Sequence, residues 1–165
     1  MTASGSDTSI APGRPGPPKE LLSSASFLLK RLGFRIKERA NEAFEETGLT
    51  PYDHAVLALL DEEPRETQAM IADALGYDRS HLVGVLDELE RRGLIERRRD
   101  PADRRRHLVS LTADGKRALT RLRTVAKRLE DEFFEPLSPD ERETLRTLLA
   151  RLASHHDARY RSNSG

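Results

Sequence analysis

One stretch limits the fold more than any other: residues 77–112, YDRSHLVGVLDELERRGLIERRRDPADRRRHLVSLT. Leu82, Val85, Leu86 and Leu89 recur at helical steps behind Asp78, a good capping residue, and Gly93 stops the pattern. Two short strands are expected next, at residues 94–98 and 107–111. Asp100, Pro101, Ala102 and Asp103 supply turn chemistry between them. In the second strand the leading apolar position is Leu108, with Val109 and Leu111 alternating less regularly. The ten residues from 97 to 106 hold six arginines and two aspartates, a local charge of +4, although the chain has 28 basic and 28 acidic residues. A neutral chain that gathers arginine on one hairpin beside one helix has a localised footprint for a polyanion.

The rest of the composition suits an extended helical shape. Hydrophobic residues are 36% and charged residues 34%, so many faces stay exposed and a core completed by a partner subunit is expected. There is no cysteine, which excludes disulfides, thiolate metal sites and thiol redox sensing, and fits a reducing cytoplasm. No apolar run approaches the ~18 residues of a membrane span. Residues 1–20 lack an apolar signal core, so no secretory signal is expected.

Along the chain, residues 1–18 read as a disordered tail of Ser, Gly, Pro and Thr with no function of its own, the alternative being a DNA contact through Arg14. A first helix starts near Pro18 and runs on Leu21, Leu22, Leu28, Leu29, Leu32, Ile36, Ala40 and Phe44 to Gly48. Thr50 and Pro51 open a second helix, and a polar loop, DEEPRE, follows it. Thr67 caps a short third helix that Gly76 ends, and Asp78 caps the fourth. After the hairpin, Thr112 caps a long helix whose stripe includes Ala118, Leu119, Leu122 and Leu129. Ser138 to Glu141 form a capping box for a last helix bearing Leu145, Leu148, Leu149 and Leu152.

The third and fourth helices are separated only by Gly76 and Tyr77, which is helix-turn-helix spacing. An ordinary helical hairpin has the same spacing. A second helix placed in a major groove would face bases with Arg79, Ser80 and His81, with Val83 and Gly84 one turn on. The basic hairpin tips the balance towards nucleic acid, because arginine at such a tip can enter a narrow minor groove. Arg98 is expected to hold phosphate. Asp103 is a poor phosphate neighbour and is expected instead to orient an arginine by a charge-assisted hydrogen bond. Nucleophile, phosphate-loop and metalloprotease motifs are absent, so an enzyme is not expected, nor a cofactor or a metal site.

These residues resemble the MarR family of winged helix-turn-helix regulators. LTPYDHAVLALL is similar to that family's second helix. Residues 78–112 are similar to its reading helix and wing, including the D-x-R…LT signature at Asp103, Arg105, Leu111 and Thr112. The resemblance covers residues 20–155. It implies a homodimer with interlocked terminal helices on a pseudo-palindromic operator, Arg105 in the minor groove, and Asp103 as its orienting partner. The expected DNA-contacting set is Gln68, Arg79, Ser80, His81, Val83, Arg98, Asp103, Arg104, Arg105 and Arg106. A ligand crevice lined by Arg31, Phe34, His54 and Leu57 is implied for a small aromatic or phenolic effector. His54 also fits plain packing. Many members carry Thr-Arg where this chain has Val83-Gly84, so base reading should lean on Arg79, Ser80 and His81.

The expected fold is mainly α: a winged helix-turn-helix with a small hairpin wing and terminal dimerisation helices. The DNA-binding lobe is placed at 50–112, the dimerisation helices at 19–46 and 113–160, and a disordered end at 161–165. The expected function is sequence-specific binding of double-stranded DNA by a cytoplasmic repressor that a small molecule relieves, without membrane association. The alternative is a constitutive or architectural DNA binder with no effector.

Overall fold

The computed structural model describes residues 16–62 and 66–161. Most of the expected N-terminal tail with Arg14, the centre of the DEEPRE loop and the last four residues lie outside that range. The chain divides between residues 37 and 38 into two compact units.

The first unit holds α1 (Lys19–Leu22) and the opening of α2 (Ala25–Glu45). The continuous helix expected from Pro18 is therefore interrupted at Ser23 and Ser24. Both hydroxyls compete with the helical ladder: Ser23 donates to the Glu20 carbonyl at 2.8 Å, and Ser24 accepts from the Phe27 N–H at 3.3 Å. Within this unit Leu21, Leu22, Leu28, Leu29, Leu32 and Phe34 are all exposed.

The second unit contains the core. Gly48 turns the chain at φ +66°, where a β-carbon is disfavoured. Then α3 (Pro51–Glu62) begins with a reciprocal cap. The Asp53 N–H donates to the Thr50 hydroxyl at 3.2 Å, and the Asp53 carboxylate accepts from the Thr50 N–H at 2.7 Å. Thr67 caps α4 (Gln68–Leu75) through the Met70 N–H at 3.3 Å, and Gly76 closes it in the left-handed conformation. Asp78 caps α5 (Arg79–Arg91). The hairpin is β2 (Ile95–Arg99) with β3 (His107–Leu111), in register from Ile95 opposite Leu111 to Arg99 opposite His107.

A third strand, β1 (Glu66–Thr67), forms where the sequence pattern indicates only loop and helix cap. It pairs antiparallel with β3, giving the order β1-β3-β2. That makes β3 central and decides which of its faces is covered. Val109, opposite both Glu66 and Arg97, is the buried residue, and Leu108 is only half-buried. The expected order of those two positions is reversed.

Thr112 caps α6 (Ala113–Phe133) by accepting from the Gly115 N–H at 3.0 Å. The same hydroxyl donates to the Gly93 carbonyl at 2.7 Å, tying the wing base to the helix start. Leu119 and Leu122 of α6 join Val56, Leu57 and Leu60 of α3 and Leu82, Leu86 and Leu89 of α5 in one core. Gly115 sits where α6 passes the Leu94 carbonyl, and a β-carbon there would collide with that oxygen and lie 2.8 Å from Leu111 Cδ1. Gly115→Ala should destabilise the fold by ~1–2 kcal/mol through overpacking against backbone. A denaturant midpoint equal to wild type would refute that clash.

Finally α7 (Pro139–His156) opens on the expected capping box of Ser138 and Glu141. None of its residues is buried; Leu148, Leu149 and Leu152 are exposed. Among the described residues no helix is long and apolar enough to cross a membrane.

Candidate nucleic-acid interface

The head of α5 is built around Asp78. Its carboxylate accepts from the Ser80 N–H at 2.9 Å and the His81 N–H at 3.2 Å, and the Ser80 hydroxyl donates to it as well. The Ser80 hydroxyl first, then the His81 and Ser80 N–H groups, hold the carboxyl below its ordinary range. Ser80 is thus engaged in its own cap. His81 is exposed but turned edge-on to Tyr52 of α3, with ring centroids 4.7 Å apart, and Tyr52 packs in turn on Tyr77 at 5.1 Å. Burial, then Tyr52 and Asp53, push the Tyr77 phenol up to about 12, so it stays protonated.

Arg79 differs from both neighbours. It is exposed and has no hydrogen bond or ion pair among the described residues, so its guanidinium is free to pair with a guanine edge. Val83 is exposed, and the space around Gly84 is open. Gln68 is half-buried at the first position of α4. Base reading by hydrogen bonds therefore narrows towards Arg79, with His81 beside the Tyr52 ring.

On the wing the six arginines separate into different roles. Arg97 points inward, 20% exposed, and pairs with Asp87 and, at 3.1 Å, with Glu90 of α5. It braces the wing against the reading helix. Its inward place was readable from the period-two step after Ile95 and from acids spaced three apart on α5. Arg98 is 76% exposed and pairs with Glu96 at 2.9 Å across open solvent, a weak tie that a phosphate can displace. Arg104, Arg105 and Arg106 are exposed, with no ion pair among the described residues.

The role expected of Asp103 needs correction. Its carboxylate accepts the backbone N–H of Arg105 at 3.0 Å, and no guanidinium pairs with it among the described residues. The Asp103 carbonyl accepts from the Arg106 N–H at 2.9 Å, and Asp100 plays a parallel part, accepting from the Ala102 N–H at 2.8 Å. Two aspartates thus shape the turn backbone, because an Asx-type bond reaches two residues along the chain more readily than a long guanidinium folds back. The three tip arginines are presented outward by that turn.

The implied effector residues fall in different settings. Arg31 and Phe34 are exposed on the first unit, Phe34 at 60%. Leu57 is fully buried among core side chains and does not present itself to a ligand. His54 is half-buried and tilted against Phe44 at 5.6 Å.

Burial, then the Arg123 cation, lowers the His54 pKa below its ordinary 6.5. The unfolded chain therefore binds this proton more readily than the folded one, and stability rises with pH through that window. Urea midpoints should be flat above the ordinary value and fall as pH drops through it towards the lowered folded value. His54→Gln should remove that slope. A slope that survives the substitution would assign it to another group.

The sequence profile of the MarR family matches residues 49–107. A Thauera aromatica protein named for transcriptional regulation of the hcr operon is 36% identical over 129 residues, covering 73% of this chain and 78% of that protein. The transcriptional repressor CouR bound to a 23-mer DNA duplex is similar in structure, with a TM-score of 0.78 and 38% identity over 85% of this chain and 99% of that one. CouR from Rhodococcus jostii RHA1 bound to p-coumaroyl-CoA gives 0.71 at 32% identity, covering 82% and 96%. With the helix-turn-helix, the braced wing and these relatives agreeing, the chain belongs to the MarR family of transcriptional regulators.

Proposed function

We propose that this regulator is a homodimeric, cytoplasmic repressor that reads a pseudo-palindromic operator and releases it when a small aromatic or phenolic effector binds. The observation that carries the DNA reading is the wing tip. Arg104, Arg105 and Arg106 stand exposed without ion pairs among the described residues, on a hairpin that Arg97 braces to the helix presenting Arg79. That combination supplies minor-groove charge and a major-groove reader on one support. CouR bound to a DNA duplex supports the operator, and CouR bound to p-coumaroyl-CoA supports an effector with an aromatic part.

The mechanism needs two reading helices roughly 34 Å apart, one DNA turn, to enter adjacent major grooves. An effector that binds better to another spacing weakens operator binding by its differential affinity for the two arrangements. The reading calls for no metal, cofactor or catalytic step.

Selection from a random duplex pool with the full chain tests it, followed by titration of the selected duplex complex with p-coumaroyl-CoA and hydroxylated benzoates. A palindromic consensus released by one of these supports the proposal. A preference that ignores them all favours a constitutive regulator, and binding without preference an architectural one. No salt-dependent DNA affinity would overturn the reading altogether.

A further inference from the structure

Beyond α7 the chain makes a 3-10 turn, Ala158–Arg161, which returns to the helix-turn-helix. The turn is fixed to the helix end. Asp157, the C-cap of α7, accepts from the Arg159 N–H at 3.0 Å and from Arg159 Nε at 2.9 Å, and its carbonyl accepts from the Tyr160 N–H at 3.1 Å. Arg161 Nε donates to the Ser154 carbonyl at 3.2 Å. The guanidinium of Arg159 then lies over Gly76, the left-handed elbow between α4 and α5. A β-carbon built on Gly76 would fall 2.7 Å from Arg159 Cζ and 3.0 Å from Nη2, and closer still to Nη1. Asp157 first, with smaller contributions from Tyr160 and Asp73 of α4, holds the guanidinium above its ordinary range.

Gly76 therefore has two reasons to lack a side chain. Its φ of +66° is strained for other residues, and the room a side chain would take is filled by Arg159. A guanidinium is flat and can lie on a bare peptide while Asp157 grips its edge. The contact joins the end of α7, a helix with no buried residue, to the turn that aims the reading helix. We propose that Arg159 is a positioning residue for operator reading: it clamps the Gly76 elbow and so links the orientation of α5 to the end of α7. This rests on the DNA-reading function proposed above.

The test uses the full chain, with amide hydrogen exchange and operator affinity as separate readouts. Arg159→Ala should speed exchange at Gly76 and Tyr77, whose N–H groups both donate to the Ala72 carbonyl. Exchange in α3 and α6 should be unchanged. Operator affinity should fall about fivefold, with an unaltered salt dependence. Arg159→Lys should resemble the alanine variant, because an ammonium cannot both lie flat on the elbow and hold Asp157 edge-on. Unchanged exchange and affinity in Arg159→Ala would overturn the proposal. So would full rescue by lysine together with a salt slope reduced by about one in the alanine variant, the mark of a direct phosphate contact. If the wild type binds no DNA, the functional reading fails on its own, and the exchange measurement alone still decides whether Arg159 clamps the elbow.

Discussion

Arg105→Ala is expected to lower operator affinity by about 1–3 kcal/mol. Arg105 is exposed at the wing tip, is not held by any ion pair among the described residues, and follows a turn whose backbone is fixed at its own N–H by Asp103. A narrow minor groove concentrates negative potential, so an outward guanidinium presented there loses little else on binding. The Asp103 contact sharpens the prediction. Because that carboxylate grips a backbone N–H, an amide oxygen can replace it. Asp103→Asn should bind operator at least as tightly as wild type, since the turn survives and a negative charge near phosphate is gone. Asp103→Ala should bind more weakly, because the Arg105 N–H loses its acceptor and the tip loosens. Fluorescence anisotropy at two salt concentrations separates the cases. If Asp103→Asn falls with Asp103→Ala, the carboxylate charge itself orients a guanidinium in the complex and the backbone role assigned here is wrong.

Much of the site could be read from the chain because its signals are local. Thr67, Asp78, Thr112 and Ser138 each precede an apolar helical stripe, and each accepts a backbone N–H at the start of its helix. Hairpin bounds followed from Asp100 and Asp103 in the same way. What the sequence concealed depends on contacts between distant residues. β1 is two residues long, and it exists only because β3 passes beside it. Once β3 is central, Val109 rather than Leu108 is covered. Leu57 looked like a pocket residue by analogy, but the α3 face it occupies meets α6 and is sealed. Arg97 is different: the alternation from Ile95 and the acids three apart on α5 already mark it for the inward pairing with Asp87 and Glu90. Arg159 lies 83 positions from Gly76 in sequence, a separation that no pattern of spacing reports.

The largest effect is expected at α7. Residues Leu148, Leu149 and Leu152 are 43%, 37% and 51% exposed, and no residue of this 18-residue helix is buried by its own chain. The first unit exposes leucines as well, at 28, 29 and 32. An isolated amphipathic helix gains little in water without a covered face, and bare apolar surface of this extent marks an interface. The cover expected here is a second copy of the chain. In a twofold interface every substitution occurs twice, and a carboxylate buried without a partner costs about 3–5 kcal/mol per copy. The double variant Leu148→Asp with Leu152→Asp should therefore sediment as a monomer at micromolar concentration. Its winged lobe should stay folded, because neither leucine contributes to the core around Leu57 and Leu86. Losing the dimer also loses the linkage between half-sites. One lobe alone then binds operator more weakly by roughly a hundredfold or more, while the lobe's thermal transition persists. A double variant that remains dimeric would place the interface elsewhere. A monomer that keeps full operator affinity would show that one lobe suffices, and the pseudo-palindrome would have no structural basis.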